Sequence, residues 1–298
     1  MIERWLFGPE SARRLRAVQF GLAGLLALRV ALGPYRMLAG QPPEFFRPVW
    51  FLRLLPSMPP VGVIIALQVV GTLAAVAVFA AAGHGRTRRV AFAVAWACLV
   101  VLAGLRTSQG KFLHNDVLLV LACVPFLAAP TRDDDGSGWP VRTALVVVAG
   151  AYFFTGFHKL VTSGLAWVTS DNLVNVVTVG SRSGRVMFPA VGEFVARQAG
   201  VLHVVAAVVL LVELTFPVVL VRPRTRPYYA AAVVALHAGT WLLLGLDYWA
   251  WAAVSLVVLP DWTGGRRRRP GPGSPAPARA ARPARRATVG TPAAPAPW

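Results

Sequence analysis

The chain has 298 residues, of which 56% are hydrophobic and 14% are charged, and its mean hydropathy is +0.59. This composition excludes an ordinary soluble domain, because apolar runs close to the ~20 residues needed to cross a bilayer recur along the sequence. The formal charge of +18 does not indicate nucleic-acid binding, because the arginines lie beside apolar runs or in a basic tail. There they orient helices and contact lipid headgroups. The sequence therefore predicts an all-α, polytopic transmembrane bundle in a lipid bilayer.

The apolar runs predict seven or eight membrane spans. The eighth run is short, so the alternative to eight spans is seven spans and a re-entrant piece. Two long outer segments, 34–60 and 161–199, mix aromatic residues with isolated charges. This pattern is typical of amphipathic helices that lie in the membrane interface or dip back into it. The predicted spans cover residues 15–33, 61–82, 90–105, 113–129, 141–160, 200–221, 228–246 and 247–260.

Lysine and arginine are distributed unequally between the two predicted sides of the membrane. With the N-terminus inside, the inner segments and the tail hold twenty of these residues and the outer segments hold nine. The positive-inside rule therefore predicts a multi-pass protein of the cell membrane with both termini in the cytoplasm. Residues 1–263 are predicted to form the transmembrane domain. The Pro-, Ala- and Arg-rich segment 264–298 is predicted to be a disordered cytoplasmic tail.

Lys159, at the end of "AYFFTGFHKL", is the first candidate for a functional residue. It is one of only two lysines, with Lys111, among 30 Lys and Arg residues. A desolvated lysine loses its proton far more readily than an arginine, so Lys159 is a candidate general base at the outer end of the fifth span. The alternative is that Lys159 merely extends to the headgroups, as lysines at helix ends do.

Further polar residues are predicted near the same level or deeper in the membrane. Ionisable residues in spans are costly and usually face a bundle interior or a cavity. His114 opens the fourth span beside Asn115 and Asp116, which alternatively cap that helix. For the two deeper residues, Glu213 and His237, the alternative role is hydrogen bonding between helices. The candidate binding residues are Tyr152 and Thr155, which share a helical face with Gly156 and Lys159, together with His158, His203, Glu213 and His237.

The segment "YFFTGFHKL" followed by "AWV" resembles the Tyr–x–x–(Ala/Thr)–Gly–x–x–Lys–Leu…Trp motif of the horizontally transferred transmembrane (HTTM) domain family. This family includes the membrane part of vitamin K-dependent gamma-carboxylase. The stretch "FLHNDVLLVLACVPFLAAP" resembles the family's preceding His-containing span, and "VELTFPVVLVRPRTR" resembles a later one. The resemblance covers roughly residues 15–262.

The resemblance implies quinol-dependent chemistry. In the carboxylase, a lysine at the outer membrane face deprotonates vitamin K hydroquinone. By this likeness, Lys159 would be the base, His114 its helper facing the same cavity, and the cofactor a reduced quinone of the menaquinone or vitamin K type. Protein carboxylation is not expected, because no large extracytoplasmic domain follows the last span and His158 stands where the carboxylase has another lysine. The alternative is a non-enzymatic membrane subunit, similar to DoxX-type proteins, that binds a quinol or a lipid.

Overall fold

The computed structural model describes residues 2–109, 114–129 and 137–260. This part of the chain is helical, apart from turns, loops and an isolated β-bridge between Pro9 and Ser137. The all-α prediction is therefore confirmed for the described residues. The predicted tail at 264–298 lies outside them, as does Lys111.

The described residues form thirteen α-helices and four short 3₁₀ helices. The α-helices are α1 (Ile2–Phe7), α2 (Ala12–Leu32), α3 (Val61–Ala80), α4 (Gly85–Thr107), α5 (Val117–Leu127), α6 (Trp139–Ser163), α7 (Ala166–Thr169), α8 (Asn172–Arg182), α9 (Pro189–Ala196), α10 (Ala199–Thr215), α11 (Val218–Val221), α12 (Arg226–Leu244) and α13 (Trp249–Val258). The 3₁₀ helices are Tyr35–Gly40, Pro43–Phe45, Trp50–Leu54 and Pro223–Thr225.

Five helical segments are long and apolar enough to cross a bilayer. They contain α2, α3, α4, α6 and α12. A sixth span results if α9 and α10, which are bent by 95° at a short break, are counted as one. α5 and α13 lie where the fourth and eighth spans were predicted, but they have 11 and 10 residues, well short of the ~20 needed. A membrane protein is thus supported, whereas the predicted count of seven or eight spans is not confirmed.

The first predicted interfacial segment, 34–60, does not form amphipathic α-helices. It folds into three of the short 3₁₀ helices, because seven prolines lie between its ends and each removes a backbone donor. The second segment, 161–199, does contain α-helices. In α8, Val177 and Gly180 are buried while Val179 is exposed, so this helix has one face against the protein and one face away from it.

One end of the bundle is fixed by Arg142. Its guanidinium group donates to the carbonyl oxygens of Trp5, Gly8 and Pro9, and the N–H of Gly138 donates to Gly8 at 3.1 Å. These bonds hold the chain before α2 against the start of α6, so both helices begin at this end, called the Arg142 end. Both are long. Arg29, in the last turn of α2, and Lys159, four residues before the end of α6, therefore lie at the opposite end, called the Lys159 end. Which end faces the cytoplasm stays a prediction.

Candidate functional site

Lys159 and Glu213 form an ion pair between α6 and α10. The ammonium nitrogen of Lys159 lies 2.6 Å from Oε1 and 2.8 Å from Oε2 of Glu213, so it donates to both carboxylate oxygens. The side chain of Glu213 is 3% exposed and that of Lys159 is 19% exposed. The carboxylate therefore depends on Lys159 for its compensating charge. Each residue was predicted separately from the sequence, and the structure brings the two together.

The predicted polar face of α6 does point into the protein. Tyr152 and Gly156 are buried, and Lys159 follows Gly156 by three residues on the same face. Gly156 lies directly against the backbone of α10 at Glu213. Because Gly156 has no side chain, α10 comes close enough for Glu213 to reach the ammonium group. The ion pair is thus a product of helix packing, not of local sequence.

A cavity of about 490 Å³ lies beside this pair, between α10 and α12, and it extends to α8. Within the described part of the chain, Lys159 is the only charged residue that lines it. The ring of Trp167 lies 4.9 Å from the Lys159 nitrogen, a cation–π distance. Trp167 Nε1 is buried and has no hydrogen-bond partner in the described part of the chain. The remaining lining is mainly aliphatic and includes Leu202, Val205, Val209, Leu236 and Leu243.

His114 lies in a different group of side chains. Its Nε2 is 2.6 Å from the hydroxyl oxygen of Tyr248, and the Trp251 indole donates to its carbonyl oxygen at 3.1 Å. No hydrogen bond joins His114 to Lys159 among the described residues, where the ammonium contacts Glu213 and Trp167. Catalytic cooperation between Lys159 and His114 stays a prediction, and it would have to act through intervening groups.

Those intervening groups are His237 and Tyr152. His237 Nε2 lies 2.9 Å from the Tyr152 hydroxyl, and Ser255 donates to the same hydroxyl at 3.4 Å. The rings of His237 and Tyr248 are 5.9 Å apart between centroids, which connects this pair to His114. Both Tyr152 and His237 were predicted as binding residues, but neither lines the cavity. Tyr248 was not predicted, although its stretch "LDYWAW" concentrates polar and aromatic side chains after Gly245.

A buried charge network holds His114 and Tyr248 in place. Arg29 Nε donates to Asp116 Oδ1, and Arg29 Nη1 donates to Asp247 Oδ2 at 2.8 Å. Asn115 Nδ2 donates to the carbonyl oxygen of Asp247. Asp116 thus adjoins the His114 segment, and Asp247 directly precedes Tyr248. Asp116 does stand at the N-cap position of α5, but its side chain bonds to Arg29 and makes no capping hydrogen bond to that helix.

The remaining predicted residues lie outside both groups. Thr155 Oγ1 donates to the carbonyl oxygen of Ala151 in its own helix, at 2.8 Å. His158 is exposed, and its Nδ1 lies 3.4 Å from Thr162 Oγ1. His203 Nε2 lies 3.5 Å from Asp171. None of these three lines the cavity. Their assignment as binding residues gains nothing from the geometry.

Comparisons with known proteins add no assignment: no family model, no curated protein and no solved structure matches this chain. The resemblance to the HTTM domain family therefore stays a prediction that rests on its sequence motifs. The site has to be interpreted from its own geometry.

Proposed function

We propose that this chain is an HTTM-type integral membrane protein that binds a reduced quinone in the cavity between α10 and α12. The observation that carries this proposal is the contrast between the aliphatic walls of the cavity and the charged group at its end. Its aliphatic walls end at one charged group, Lys159, whose partner Glu213 lies behind it. Binding sites for small apolar molecules commonly combine apolar walls with a few polar groups that fix orientation.

The polar end of the cavity favours a neutral headgroup. Lys159 and Glu213 carry opposite charges, so the pair has no net charge to attract a phosphate or a carboxylate. An anionic headgroup would also add a second negative charge beside Glu213. Lys159 lines the cavity, and its ammonium group has a third N–H besides the two that it donates to Glu213, so a quinol oxygen can accept from it. The other quinol oxygen can accept from Trp167 Nε1, which has no partner among the described residues. An isoprenoid chain would then contact the aliphatic walls.

The proposed chemistry is a carboxylase-like or oxygenase-like reaction that begins with proton transfer. A reduced quinone would supply the electrons for a reaction with oxygen. Within the protein, Lys159 can act as the base after its proton has passed to Glu213, 2.6 Å away. Low dielectric surroundings reduce the advantage of the charged pair over the neutral one, which makes such a transfer accessible. Arginine could not replace Lys159 here, because it does not give up its proton.

The second candidate function is binding without catalysis, as in a DoxX-like membrane subunit. The same ion pair favours it, because a carboxylate at 2.6 Å stabilises the protonated ammonium. In that case the pair would hold the quinol or lipid headgroup by hydrogen bonds alone. Both candidates share the bilayer as environment, the cavity as binding site and the predicted cytoplasmic position of both termini.

Oxygen uptake by the purified protein in lipid nanodiscs with reduced menaquinone separates the two candidates. The enzyme predicts uptake that Lys159→Ala abolishes and Lys159→Arg does not restore. The exposed Arg36→Lys variant is the matched control and should keep full activity. Binding of menaquinone without oxygen uptake would favour the non-enzymatic subunit. Equal activity in the Lys159→Arg variant would exclude Lys159 as the proton acceptor. Absence of menaquinone binding by the wild type would exclude the enzyme and the quinol-binding subunit, and would leave only a subunit that binds a lipid.

A further inference from the structure

Two hydrogen-bonded pairs of polar side chains, joined by a ring contact, form a series from the surface into the bundle. His114 is exposed at the Lys159 end, and its Nε2 bonds to the Tyr248 hydroxyl at 2.6 Å. The Tyr248 ring contacts the His237 ring, with 5.9 Å between centroids and 31° between planes. His237 Nε2 bonds to the hydroxyl of Tyr152, which is 2% exposed. Tyrosine and histidine thus alternate along the series.

The chemistry of this series suits proton transfer. Each histidine ring has two nitrogens and can take a proton at one while releasing a proton from the other. Each tyrosine hydroxyl can donate and accept at the same time. His237 Nδ1 is buried and lacks a hydrogen-bond partner within the described residues. Since the Tyr248 ring is its neighbour, the path requires one water molecule to connect Nδ1 to the Tyr248 hydroxyl.

The inner end of the series lies near the ion pair. Tyr152 stacks on Phe216, with 4.4 Å between ring centroids, and Phe216 follows Glu213 by one helical turn. Leu236 and Thr240, the neighbours of His237 on α12, line the cavity that Lys159 also lines. His237 therefore stands behind the cavity wall, between the surface at His114 and the proposed reaction site.

We propose that His114, Tyr248, His237 and Tyr152 form a proton-transfer path between the surface at the Lys159 end and the region of the Lys159–Glu213 pair beside the cavity. This rests on the proposed function, since a quinol bound at Lys159 would release protons while its own body fills the cavity. One proton enters at the Tyr152 oxygen as Tyr152 gives its hydroxyl proton to His237 Nε2. His237 Nδ1 then gives a proton to Tyr248 oxygen through a bridging water, Tyr248 gives its hydroxyl proton to His114 Nε2, and His114 releases one proton at the surface. No electrons move along the path.

Tyr248 is the residue whose removal tests the path most cleanly. Burial raises the pKa of its hydroxyl, so Tyr248 stays protonated and acts only by exchanging one proton for another. Tyr248→Phe deletes the hydroxyl and keeps the ring that packs against His114, His237 and Trp251. Tyr228→Phe is the matched control, because Tyr228 is 76% exposed and lies outside the series.

The primary measurement needs no ligand. Exchange of the His237 ring N–H with water is followed by NMR in the detergent-solubilised, ¹⁵N-histidine-labelled full chain. Tyr248→Phe is expected to slow this exchange about tenfold or more, as loss of a positioned acid–base group does, while Tyr228→Phe leaves it unchanged. Unchanged exchange in Tyr248→Phe would overturn the path, provided that its thermal unfolding matches that of the wild type. If Tyr248→Phe unfolds at a lower temperature than the wild type, His114→Gln takes its place. The same slowing of His237 exchange is expected in His114→Gln, and unchanged exchange would again overturn the path.

A second measurement separates this inference from the proposed function. Oxygen uptake with reduced menaquinone is compared in wild type and Tyr248→Phe, in H₂O and in D₂O. Slower uptake with a larger solvent isotope effect in the variant supports the path in turnover. No uptake in the wild type, together with slowed His237 exchange in Tyr248→Phe, would reject the quinol reaction and keep the path. Normal uptake with normal exchange in the variant would reject the path and keep the reaction.

Discussion

Gly156 of α6 lies against Glu213 of α10 with no space for a side chain between them. A Cβ at residue 156 would stand 2.7 Å from Glu213 Cβ and 3.2 Å from the backbone nitrogen of Leu214. The first distance is shorter than real carbon contacts, and the second involves backbone, which cannot rotate away. Gly156 therefore sets the distance between the two helices that carry Lys159 and Glu213.

Gly156→Ala is predicted to separate α6 from α10 and to weaken the ion pair. Overpacking of this kind costs about 1–3 kcal/mol, more than the ~1 kcal/mol that alanine gains over glycine inside a helix. Gly150→Ala is the control in the same helix, because its Cβ would meet no atom closer than 3.9 Å. Thermal unfolding in detergent, followed by circular dichroism, should show a lower midpoint for Gly156→Ala alone. A raised midpoint in both variants would contradict the close contact.

Removal of Lys159 alone is predicted to destabilise the protein more than removal of the whole pair. Lys159→Met leaves the Glu213 carboxylate, which is 3% exposed, without a compensating charge. Breaking a buried pair in this way costs about 3–5 kcal/mol, whereas apolar replacement of both partners is often close to neutral. The double variant Lys159→Met, Glu213→Leu should therefore recover most of the lost stability. If the double variant instead lost as much in unfolding midpoint as Lys159→Met and Glu213→Leu lose together, the two side chains would not interact.

Arg29→Gln is predicted to destabilise the Lys159 end of the bundle. It removes the guanidinium group that bonds directly to Asp116 and Asp247, and the side chain of Asp116 is 4% exposed. Arg106, 3.9 Å from Asp116 and 4.0 Å from Asp247, keeps part of the compensating charge. The expected loss is therefore about 3 kcal/mol, at the lower end of the range for buried pairs that lose one partner. Arg36→Gln, at an exposed position seven residues later, should stay within about 0.5 kcal/mol of the wild type. Equal unfolding midpoints for the two variants would show that the contacts of Arg29 do not stabilise the protein.

Trp167→Phe is predicted to weaken menaquinone binding without unfolding the protein. The substitution keeps an aromatic ring beside Lys159 but deletes the buried Nε1 donor that lacks a partner. A lost hydrogen bond of this kind costs about 0.5–1.5 kcal/mol, so affinity should fall about two- to tenfold. Titration of menaquinone into nanodiscs, read by quenching of tryptophan fluorescence, measures this change. Unchanged affinity would place the headgroup away from Trp167.

The positions of the long helices could be predicted, because each of them is a continuous run of mainly apolar residues long enough to cross a bilayer. The inward face of α6 also followed from the spacing of Tyr152, Gly156 and Lys159. The partner of Lys159 could not be predicted, because Glu213 is 54 residues away and only helix packing brings it near. Tyr248 escaped prediction for the same reason, since its contact with His114 crosses 134 residues. The 3₁₀ helices of segment 34–60 were predictable in principle, because the seven prolines that interrupt it are visible in the sequence.

The contacts of Arg29 constrain the order in which the protein is assembled. Arg29 belongs to the first long helix, but its partners Asp116 and Asp247 follow it by 87 and 218 residues. During synthesis the guanidinium group therefore lacks its first acidic partner until residue 116 has emerged, and its second until residue 247 has emerged. A ribosome-bound chain truncated before residue 247 would lack the second acid, so its first helix would be only partly anchored. We therefore expect the Arg29 contacts to be completed only after the later helices have been inserted.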